Sequence, residues 1–265
     1  MSVRPRAARI PPAVRVVEGY ARTYRRTWKG TAVTTFVSPV LFLAAMGLGL
    51  GTLVDRGGGA AVPAETYLAF LAPGLLAASA MQTAATDTTW PVMAGIKWLK
   101  TYDAALATPV SPSDLMAGHL GWVLVRVTFA SVVFAAVMVA FGAAGPLGAA
   151  VAVLPAALTG LAFASLITAF TASRKNEYAL ASLFRFGVVP LFLFSGTFFP
   201  LEQVPELLRP IAYVTPLWHG VELTRAAALG GAPALPALVH VAVLVACAAA
   251  GFPLAVRALT RRMTP

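Results

Sequence analysis

The sequence predicts an all-α integral membrane protein, on the basis of its composition and of the continuity and length of its apolar runs. Of the 265 residues, 58% are hydrophobic and only 11% are charged, and the mean hydropathy is +0.78. These values leave too few polar side chains to cover a water-soluble globule. The runs lack the period-two alternation of barrel strands, and each is about 20 residues long, the length that a helix needs to cross the hydrocarbon core.

Six such runs predict six transmembrane helices. Their ranges are 31–53, 67–86, 117–141, 147–172, 179–199 and 236–256. Turn signals separate the runs, including DRGGGAAVP after the first and GAAGP between the third and the fourth. The single cysteine, Cys247, lies in the sixth run, so no intrachain disulfide is possible.

The distribution of basic residues predicts that both termini are cytoplasmic. Most Lys and Arg residues lie in the first thirty residues, in the connections after the second and fourth spans, and in the tail, whereas the other connections carry Arg56, Arg209 and Arg225. Lys and Arg favour the cytoplasmic side, and six spans return the chain to the side where it starts. The net charge of +10 is therefore a topology signal. A nucleic-acid partner is not expected, because no basic segment is interleaved with aromatic residues on a soluble domain.

Residues 1–30 are predicted to form a cytoplasmic and interfacial segment. Between residues 12 and 29, apolar and aromatic side chains, including Tyr24 and Trp28, recur every three or four residues, while Arg15, Arg22 and Arg25 lie on the other side. This pattern is typical of an amphipathic helix that lies in the headgroup layer and contacts anionic lipid. A solvated basic arm is the alternative. A cleavable signal peptide is not expected, since the first apolar run is too long and has no cleavage site followed by a polar chain.

The connection 87–114 is predicted to contain a short helix at about 96–107 that lies parallel to the membrane. Helical spacing is followed by Ile96, Leu99, Tyr102 or Asp103, and Leu106. Ser111, Pro112 and Asp114 are predicted to cap the third span. An aromatic, partly charged helix here suits a groove on a partner protein. A helix that lies along the lipid surface is the alternative.

Proline residues break the external connection that follows residue 199. Pro200, Pro205, Pro210 and Pro216 exclude one continuous helix. Thr215 and Pro216 are predicted to begin a helix that continues until Gly230 and Gly231. Short helices with apolar faces persist at a membrane only where they dip into the protein or rest on its rim. They are therefore expected to cover the external end of the bundle.

Several ionisable residues in or near the spans are candidates for a site. His219 and Glu222 lack the further ligands of a zinc site, and an ion pair between Glu222 and Arg225 is favoured instead. His119 and His240 are expected to be ordinary bundle residues.

Arg126 and Arg185 are costly inside a membrane. Each is expected near the cytoplasmic end of its span, where snorkelling or pairing with Asp87, Asp114 or Glu177 lowers that cost. A structural role is the default for both arginines, and contact with an anionic substrate headgroup is the alternative.

Two stretches and the six-span layout resemble a known family. The stretches are TYDAALATPVSPSDLMAGH and SGTFFPLEQVPELLRPIAYVTPLWHGVELTRAAALG. They resemble the type-2 ATP-binding-cassette exporter permeases, in the branch of the nodulation-factor J proteins and the daunorubicin-resistance B permeases. The resemblance covers nearly the whole chain. It implies a permease in the bacterial plasma membrane that pairs with a second permease, each bound to a separate cytoplasmic ATPase.

The resemblance also implies roles for the singled-out segments. Residues 1–30 are the interfacial part, 31–258 the permease domain and 259–265 a cytoplasmic tail. The helix from Ile96 is implied to couple to the ATPase through Trp98, Leu99, Lys100, Tyr102, Asp103 and Leu106. The external re-entrant element, at about 200–230, is implied to include Pro200, Pro216, His219, Glu222 and, by its pairing, Arg225.

Three classes of function differ in the residues that they require. No GxxxxGK[ST] loop is present, so an ATP-driven exporter permease needs ATP and Mg²⁺ on a partner chain, and no cofactor or metal is expected on this one. An ion- or proton-coupled carrier should show mid-span carboxylates or inverted repeats, and neither is expected. An intramembrane enzyme needs a nucleophile with its base, or a metal set, and no catalytic residue is predicted. The exporter permease is favoured, and membrane lipid is expected around it. A homodimer is preferred to a heterodimer. The expected substrate is an amphiphilic drug, lipid or lipid-linked glycan.

Overall fold

The computed structural model describes residues 11–51, 64, 66–203, 206 and 209–263, and its regular secondary structure is helical throughout those residues. Five helical stretches in them are long and apolar enough to cross a membrane. They are Pro12–Gly47, Tyr67–Trp98, Pro112–Ala140, Pro146–Ser173 and Ala237–Met263. The chain is therefore an all-α integral membrane protein, as its composition predicts.

The first helix, α1, is longer than expected. It covers Pro12–Leu43 without a break and continues as π-helical turns over Ala44–Gly51. The helix thus continues without a break across residue 31, where the interfacial segment was predicted to meet the first span, and residues 52 and 53 lie outside the described part of the chain. Gly30 at the expected boundary costs a helix only about 1 kcal/mol relative to Ala, which is too little to end it.

The second helix, α2, also extends past its predicted end at residue 86. It spans Tyr67–Met93 and continues as a π-helical turn over Ala94–Trp98. The polar residues after residue 86 suggested that the helix ends there. They remain within the helix, because the hydroxyls of Thr88 and Thr89 donate to the carbonyls of Ala84 and Ala85 at 2.7 and 2.8 Å. Asp87, which was expected at a span end, therefore lies inside the helix.

The predicted helix at about 96–107 is divided in two. The π-helical turn ends at Trp98, and the short helix α3 covers Thr101–Leu106. Between them Lys100 has a left-handed backbone, with φ 53° and ψ 23°. This residue changes the direction of the chain, so the predicted single helix is interrupted here.

The next two long helices agree with their predicted bounds to within one residue, except that the first of them begins five residues early. Helix α4 spans Pro112–Ala140 and helix α5 spans Pro146–Ser173. The predicted cap of α4 is confirmed. The Ser111 hydroxyl accepts from the Asp114 amide, and the Asp114 carboxylate accepts from the Ser111 amide, both at 3.1 Å.

The segment that was predicted as the fifth span is shorter and irregular. It consists of α6, Tyr178–Leu183, a π-helical turn, Phe184–Val188, and α7, Val189–Phe194. The stretch Tyr178–Phe194 is apolar but too short to belong to the five long helices.

Short helices follow, as the prolines predict. A 3₁₀ turn covers Leu201–Gln203, α8 covers Arg209–Val214 and α9 covers Pro216–Leu229. The predicted cap of α9 is confirmed, because the Thr215 hydroxyl accepts from the Trp218 amide at 3.4 Å. The predicted stop is also confirmed, since Gly230 has φ 74°. The expected helical turn at 205–209 lies largely outside the described residues.

The last helix, α10, spans Ala237–Met263. It packs on α5, and α2 and α5 together form the centre of the bundle. Most of α2 is buried, whereas α1 and α10 are exposed over most of their length. The outer faces of these two helices are apolar, with Leu41 and Leu238 well exposed.

The bundle has two distinct ends. At one of them Lys97 pairs with Glu177, and Arg262 donates to the carbonyls of Thr171 and Arg174. We call this the basic end, and both the start of α1 and the end of α10 lie there. At the opposite end the Tyr67 hydroxyl donates to the Phe198 carbonyl at 3.2 Å.

Candidate functional site

The segment 96–106 lies at the basic end and has a buried side and an exposed side. Ile96 and Tyr102 are 4% and 3% exposed and pack with Leu115 and Leu259. The neighbouring Trp98 and Leu99 are 50% and 69% exposed. Large apolar side chains that are held out on an anchored turn suit contact with another protein.

The remaining predicted residues of this segment divide in the same way. Leu106 is partly buried against the Tyr102 cluster. Lys100 and Asp103 are exposed, and their charged groups lie 3.7 Å apart. Spacing alone assigned Leu99 to the face of Ile96 and Tyr102. The π-helical turn that carries Ile96 departs from α-helical spacing, and the left-handed Lys100 separates Leu99 from Tyr102, so Leu99 lies elsewhere. Tyr102 and Ile96 therefore hold the segment, while Trp98, Leu99, Lys100 and Asp103 form its surface.

Tyr102 connects the segment to two membrane helices. Its hydroxyl lies 3.2 Å from the Tyr20 hydroxyl of α1, which lies 3.2 Å from Nδ1 of His119 on α4. Burial raises the pKa of Tyr102 well above its ordinary value, so the phenol is a neutral hydrogen-bonding group. A Cβ at Gly95 would lie 2.6 Å from the Tyr102 ring, so only glycine lets the turn approach this closely.

A second connection joins the segment to the start of α6. The Lys97 ammonium lies 2.5 Å from the Glu177 carboxylate. The hydrogen bond from Lys97 lowers the pKa of Glu177, so the pair persists until the pH falls below the ordinary range of a glutamate. Because Glu177 is used here, it does not serve as the partner that was considered for Arg126 or Arg185.

The N-terminal half of α1 packs lengthwise on α4. Tyr24 is partly buried, with its ring 5.5 Å from that of Trp122. The other residues predicted for an interfacial helix are exposed, namely Arg15, Arg22, Arg25 and Trp28. Arg22 forms a 3.4 Å ion pair with Glu18. The two-sided pattern is therefore present, but its apolar side faces α4 as well as the surroundings of the bundle.

An ion pair lies at the centre of the groove between α1, α2 and α4. Arg126 is at the middle of α4, and its guanidinium donates to Oδ1 of Asp87 on α2 at 2.8 Å. The guanidinium also lies 5.1 Å from the Tyr24 ring. Arg126 lies further from the start of α4 than was expected, because α4 begins five residues before the predicted span. Asp87 is one of the three carboxylates, with Asp114 and Glu177, that the sequence suggested as partners of this arginine.

The groove has two parts that meet at this ion pair. One part, of about 1230 Å³, extends to the basic end past His119 and Tyr102, and the other, of about 540 Å³, extends along the helices in the other direction. Both are lined by Tyr24, Asp87, Trp122 and Arg126. The volume of the second part is typical of sites that hold small ligands, and the first part is larger still, so the groove is a candidate substrate path.

Arg185 is separate from the Asp87–Arg126 pair. It lies on the π-helical turn Phe184–Val188, is exposed, and has its guanidinium 5.7 Å from the Phe186 ring. It takes part in none of the ion pairs found among the described residues. Exposure on the outside of the bundle places it where its guanidinium can snorkel.

The predicted ion pair at the opposite end is present. Arg225 lies 3.0 Å from Glu222 and donates to the Gly196 carbonyl at 2.9 Å. Glu222 also accepts from the Ala234 amide at 3.1 Å. The pair thus joins α9 to the turns on either side of it and lines a cavity of about 630 Å³ together with Pro200. Pro216 begins α9 as its first residue.

His219 of α9 pairs with His240 of α10, which sequence spacing did not reveal. Their Nδ1 atoms are 2.8 Å apart, and both rings pack against Trp218. Burial and then the neighbouring His240 lower the pKa of His219, so it is neutral at physiological pH. Within the described residues no group of three or more potential ligands could hold a metal ion. The two histidines therefore act as a packing and hydrogen-bonding pair between helices.

Comparisons with known proteins agree with a permease. The family described as ABC-2 type transporter matches residues 16–229. Nodulation protein J of Sinorhizobium fredii is 32% identical over 243 residues, which cover 89% of each chain. Nodulation protein J of Rhizobium meliloti is 29% identical over 90% of each chain, and the inner membrane transport permease YadH of Escherichia coli is 22% identical over 78% of each.

The match includes α1 from Val16 onward, the groove, the segment 96–106 and the whole of α9. The resemblance carried by the two quoted stretches is thus confirmed. The chain belongs to the ABC-2 type transporter family, as a multi-pass exporter permease of the nodulation protein J branch.

Proposed function

We propose that this permease moves an amphiphilic substrate, such as a drug, lipid or lipid-linked glycan, out of the cytoplasm or the inner leaflet. A separate ATP-binding-cassette ATPase, which carries the ATP and Mg²⁺, drives the movement. The proposal follows from family membership and from a groove that combines apolar walls with a few polar groups.

One observation carries the role of the ATPase, namely the exposure of Trp98 and Leu99 on an anchored turn. The buried side chains of Ile96 and Tyr102 hold the segment against the helix bundle, so it is rigid where it meets a partner. Lys100 and Asp103 are exposed in the same segment and supply polar contacts beside the apolar pair. An apolar centre with a polar rim is the usual composition of a protein interface.

The hydrogen bond between Tyr102 and Tyr20 supplies a path for the mechanical coupling. ATP binding closes two ATPase subunits and moves segment 96–106, which is bonded to Tyr20 of α1, and Tyr20 is bonded in turn to His119 of α4. These helices form two walls of the groove. ATP shifts the permease toward an outward-releasing state because it binds the closed ATPase arrangement more tightly.

The proposed topology has six crossings, with Tyr178–Phe194 as the fifth. This stretch begins beside the Lys97–Glu177 pair and ends where Ser195 approaches Thr215, so it connects the two ends of the bundle. The basic end is assigned to the cytoplasm of a bacterial cell by the positive-inside rule. The segments 1–30 and 259–265 then belong to the cytoplasmic side, and 31–258 is the permease domain.

A second copy of the chain is the proposed membrane partner. The outer faces of α1 and α10 are apolar and exposed, and they supply enough surface for both lipid and a second permease. A homodimer is favoured over a heterodimer because a two-fold axis needs only one self-complementary patch.

The experiment compares Trp98→Asp and Leu99→Asp with Tyr178→Asp in cells that also make the partner ATPase. Tyr178 is a matched control, because it is 80% exposed close to Glu177 but is not part of segment 96–106. A buried carboxylate in an apolar interface costs several kcal/mol, so we expect both segment variants to lose at least about tenfold of the co-purified ATPase. The control should retain it. Full retention by Trp98→Asp and Leu99→Asp contradicts the proposal.

An ion- or proton-coupled carrier is the second candidate, and Asp87 is the observation that favours it. A carboxylate inside a membrane helix is a usual feature of such carriers. Transport into vesicles driven by an ion gradient, without nucleotide or ATPase, distinguishes the two functions. The exporter proposal expects no transport under these conditions.

A further inference from the structure

We propose that the basic end of the bundle binds an anionic phospholipid of the surrounding leaflet, at the point where α5 and α10 end side by side. The lipid phosphate is held by a cluster of four exposed basic residues, and the acyl chains lie along the apolar surface of α10. We call these residues the basic cluster, and they are Arg174, Lys175, Arg257 and Arg261. This lipid is a resident ligand of the permease, and its site lies outside the groove between α1, α2 and α4.

Arg262 joins the ends of α5 and α10. Its guanidinium donates to the carbonyls of Thr171 and Ala172 at 3.4 and 3.3 Å, and it also donates to the carbonyl of Arg174. The last carbonyls of a helix have no partner within the helix, and the helix dipole favours a cation beside them. Arg262 thus brings the basic residues that follow α5 and those that end α10 to one place on the molecule.

The basic cluster has no carboxylate partner within the described part of the chain. None of its four residues takes part in the ion pairs found there. Glu177, the acidic residue that follows Lys175 most closely, is paired with Lys97 at 2.5 Å. Unpaired charges of one sign repel one another and attract anions. The cluster therefore favours an anionic ligand.

Arg174 is prepared to bind a phosphate. Its guanidinium lies over the Phe170 ring, 4.6 Å from the ring centre. This contact holds the guanidinium without using its N–H donors. A guanidinium presents these donors in a planar fork that matches two oxygens of a phosphate. Phosphate is therefore a better match than a smaller anion.

Apolar surface leads directly into the basic cluster on both helices. On α10, Leu254 is 48% exposed and is followed by Arg257 and Arg261 at steps of three and four residues, which places the three side chains on one face. On α5, Phe170 precedes Arg174 by four residues in the same way. A ligand that matches both surfaces has an anionic head and an apolar tail, as a phospholipid has. An acidic protein surface matches only the charged half.

The proposed site lies close to the anchor of segment 96–106. Ala172 of α5 and Ala255 and Leu259 of α10 belong to the buried cluster that contains Ile96 and Tyr102. A lipid that contacts both helix ends opposes their separation. Because a ligand stabilises the state that binds it, phosphatidylglycerol should raise the thermal unfolding temperature of the permease.

The test measures lipid binding to the purified, full-length permease in neutral detergent micelles, without ATPase. The probe is phosphatidylglycerol with a fluorescent acyl chain. Its competitors are unlabelled phosphatidylglycerol and phosphatidylcholine with identical acyl chains, so only the headgroups differ, and choline cancels the charge of the phosphate. We expect phosphatidylglycerol to compete at least about tenfold better. Equal competition by phosphatidylcholine overturns the proposal.

Inorganic phosphate is the third competitor. It supplies the anionic group without acyl chains, so we expect it to leave the probe bound at concentrations at which phosphatidylglycerol displaces it. Equally effective displacement by phosphate would identify a simple anion site and would also overturn the proposal.

Single substitutions distinguish a site from general attraction to a basic protein. Arg174→Gln, Arg257→Gln and Arg261→Gln each remove one charge of the cluster, and each should weaken phosphatidylglycerol binding about fivefold. Arg185→Gln is the matched control, because Arg185 is also exposed and is in none of the ion pairs among the described residues, but lies outside the cluster. It should leave binding unchanged. Equal weakening by all four substitutions means that affinity follows net charge, which contradicts a site. Full binding by all three cluster variants contradicts it as well.

An acidic surface of the ATPase is the other possible occupant of the basic cluster. Cells that make the partner ATPase test it, and we expect the three cluster variants to retain the co-purified ATPase because Trp98 and Leu99 are unchanged. Loss of the ATPase with unchanged lipid binding would assign the cluster to the ATPase and overturn the proposal. The export function is judged separately, because lipid binding is measured without ATPase and the Trp98 and Leu99 variants leave the cluster intact.

Discussion

Gly118 allows α1 to pack directly on α4. A Cβ at this position would lie 2.5 Å from Cβ of Val16 and 2.7 Å from the Ala13 carbonyl. Gly118→Ala must therefore push α1 outward, and we expect it to destabilise the permease by about 1–3 kcal/mol, although alanine is the better helix former. Gly121→Ala is the matched control, since its Cβ would make an ordinary 3.6 Å contact with Val17. Thermal unfolding of both variants checks this, and equal stability would mean that the close approach is unimportant.

Side-chain partners were predictable from the sequence where they are local. The capping pair Ser111–Asp114 and the ion pair Glu222–Arg225 are three residues apart on one helix, so spacing alone brings them together. The pair Asp87–Arg126 joins two helices, and the sequence could offer Asp87 only as one of several partners. The pairing of His219 with His240 depends in the same way on how α9 packs on α10.

The direction of segment 96–106 depends on the backbone of Lys100. Left-handed conformations cost a non-glycine residue about 1–2 kcal/mol and cost a β-branched residue more. We expect Lys100→Gly and Lys100→Asn to retain the ATPase, and Lys100→Ile to release it by redirecting Trp98. Ala104→Ile is the control for a β-branched side chain at an exposed helical position of the same segment, and Lys100→Asn controls for loss of the charge. The measurement is the amount of co-purified ATPase. If Lys100→Ile retains all of the ATPase, the left-handed turn is not needed for ATPase binding.

The sequence predicts which segments form membrane helices more easily than it predicts where those helices begin and end. Hydropathy identified each long helix, because burial in lipid requires continuous apolar runs. The ends of α1 and α2 were misplaced because polar residues resembled stops. Thr88 and Thr89 satisfy their hydroxyls on the helix itself, and Gly30 without a following proline does not break one. The break at Lys100 carries no glycine or asparagine signal, so periodicity predicted one helix there.

At the scale of the whole molecule, the basic end and the groove form one connected unit. Tyr102 of segment 96–106 is bonded to Tyr20 of α1, and Tyr20 is bonded to His119 of α4. The same two helices carry Tyr24 and Arg126. A displacement of the segment by an ATPase would therefore reach the groove through two rigid helices, without passing through a loop. The ends of the bundle must then face different compartments for transport to have a direction.

Cysteine labelling tests that assignment of sides. The background is Cys247→Ser, which removes the single native thiol. Ala104→Cys on α3 and Gly231→Cys after α9 introduce exposed thiols at the basic end and the opposite end. With a membrane-impermeant maleimide, intact cells should label position 231 and not 104, and inverted vesicles should give the reverse. Labelling of both positions after detergent extraction is the control for reactivity. If intact cells label position 104, the basic end faces outward, and an ATPase in the cytoplasm has no access to Trp98 and Leu99.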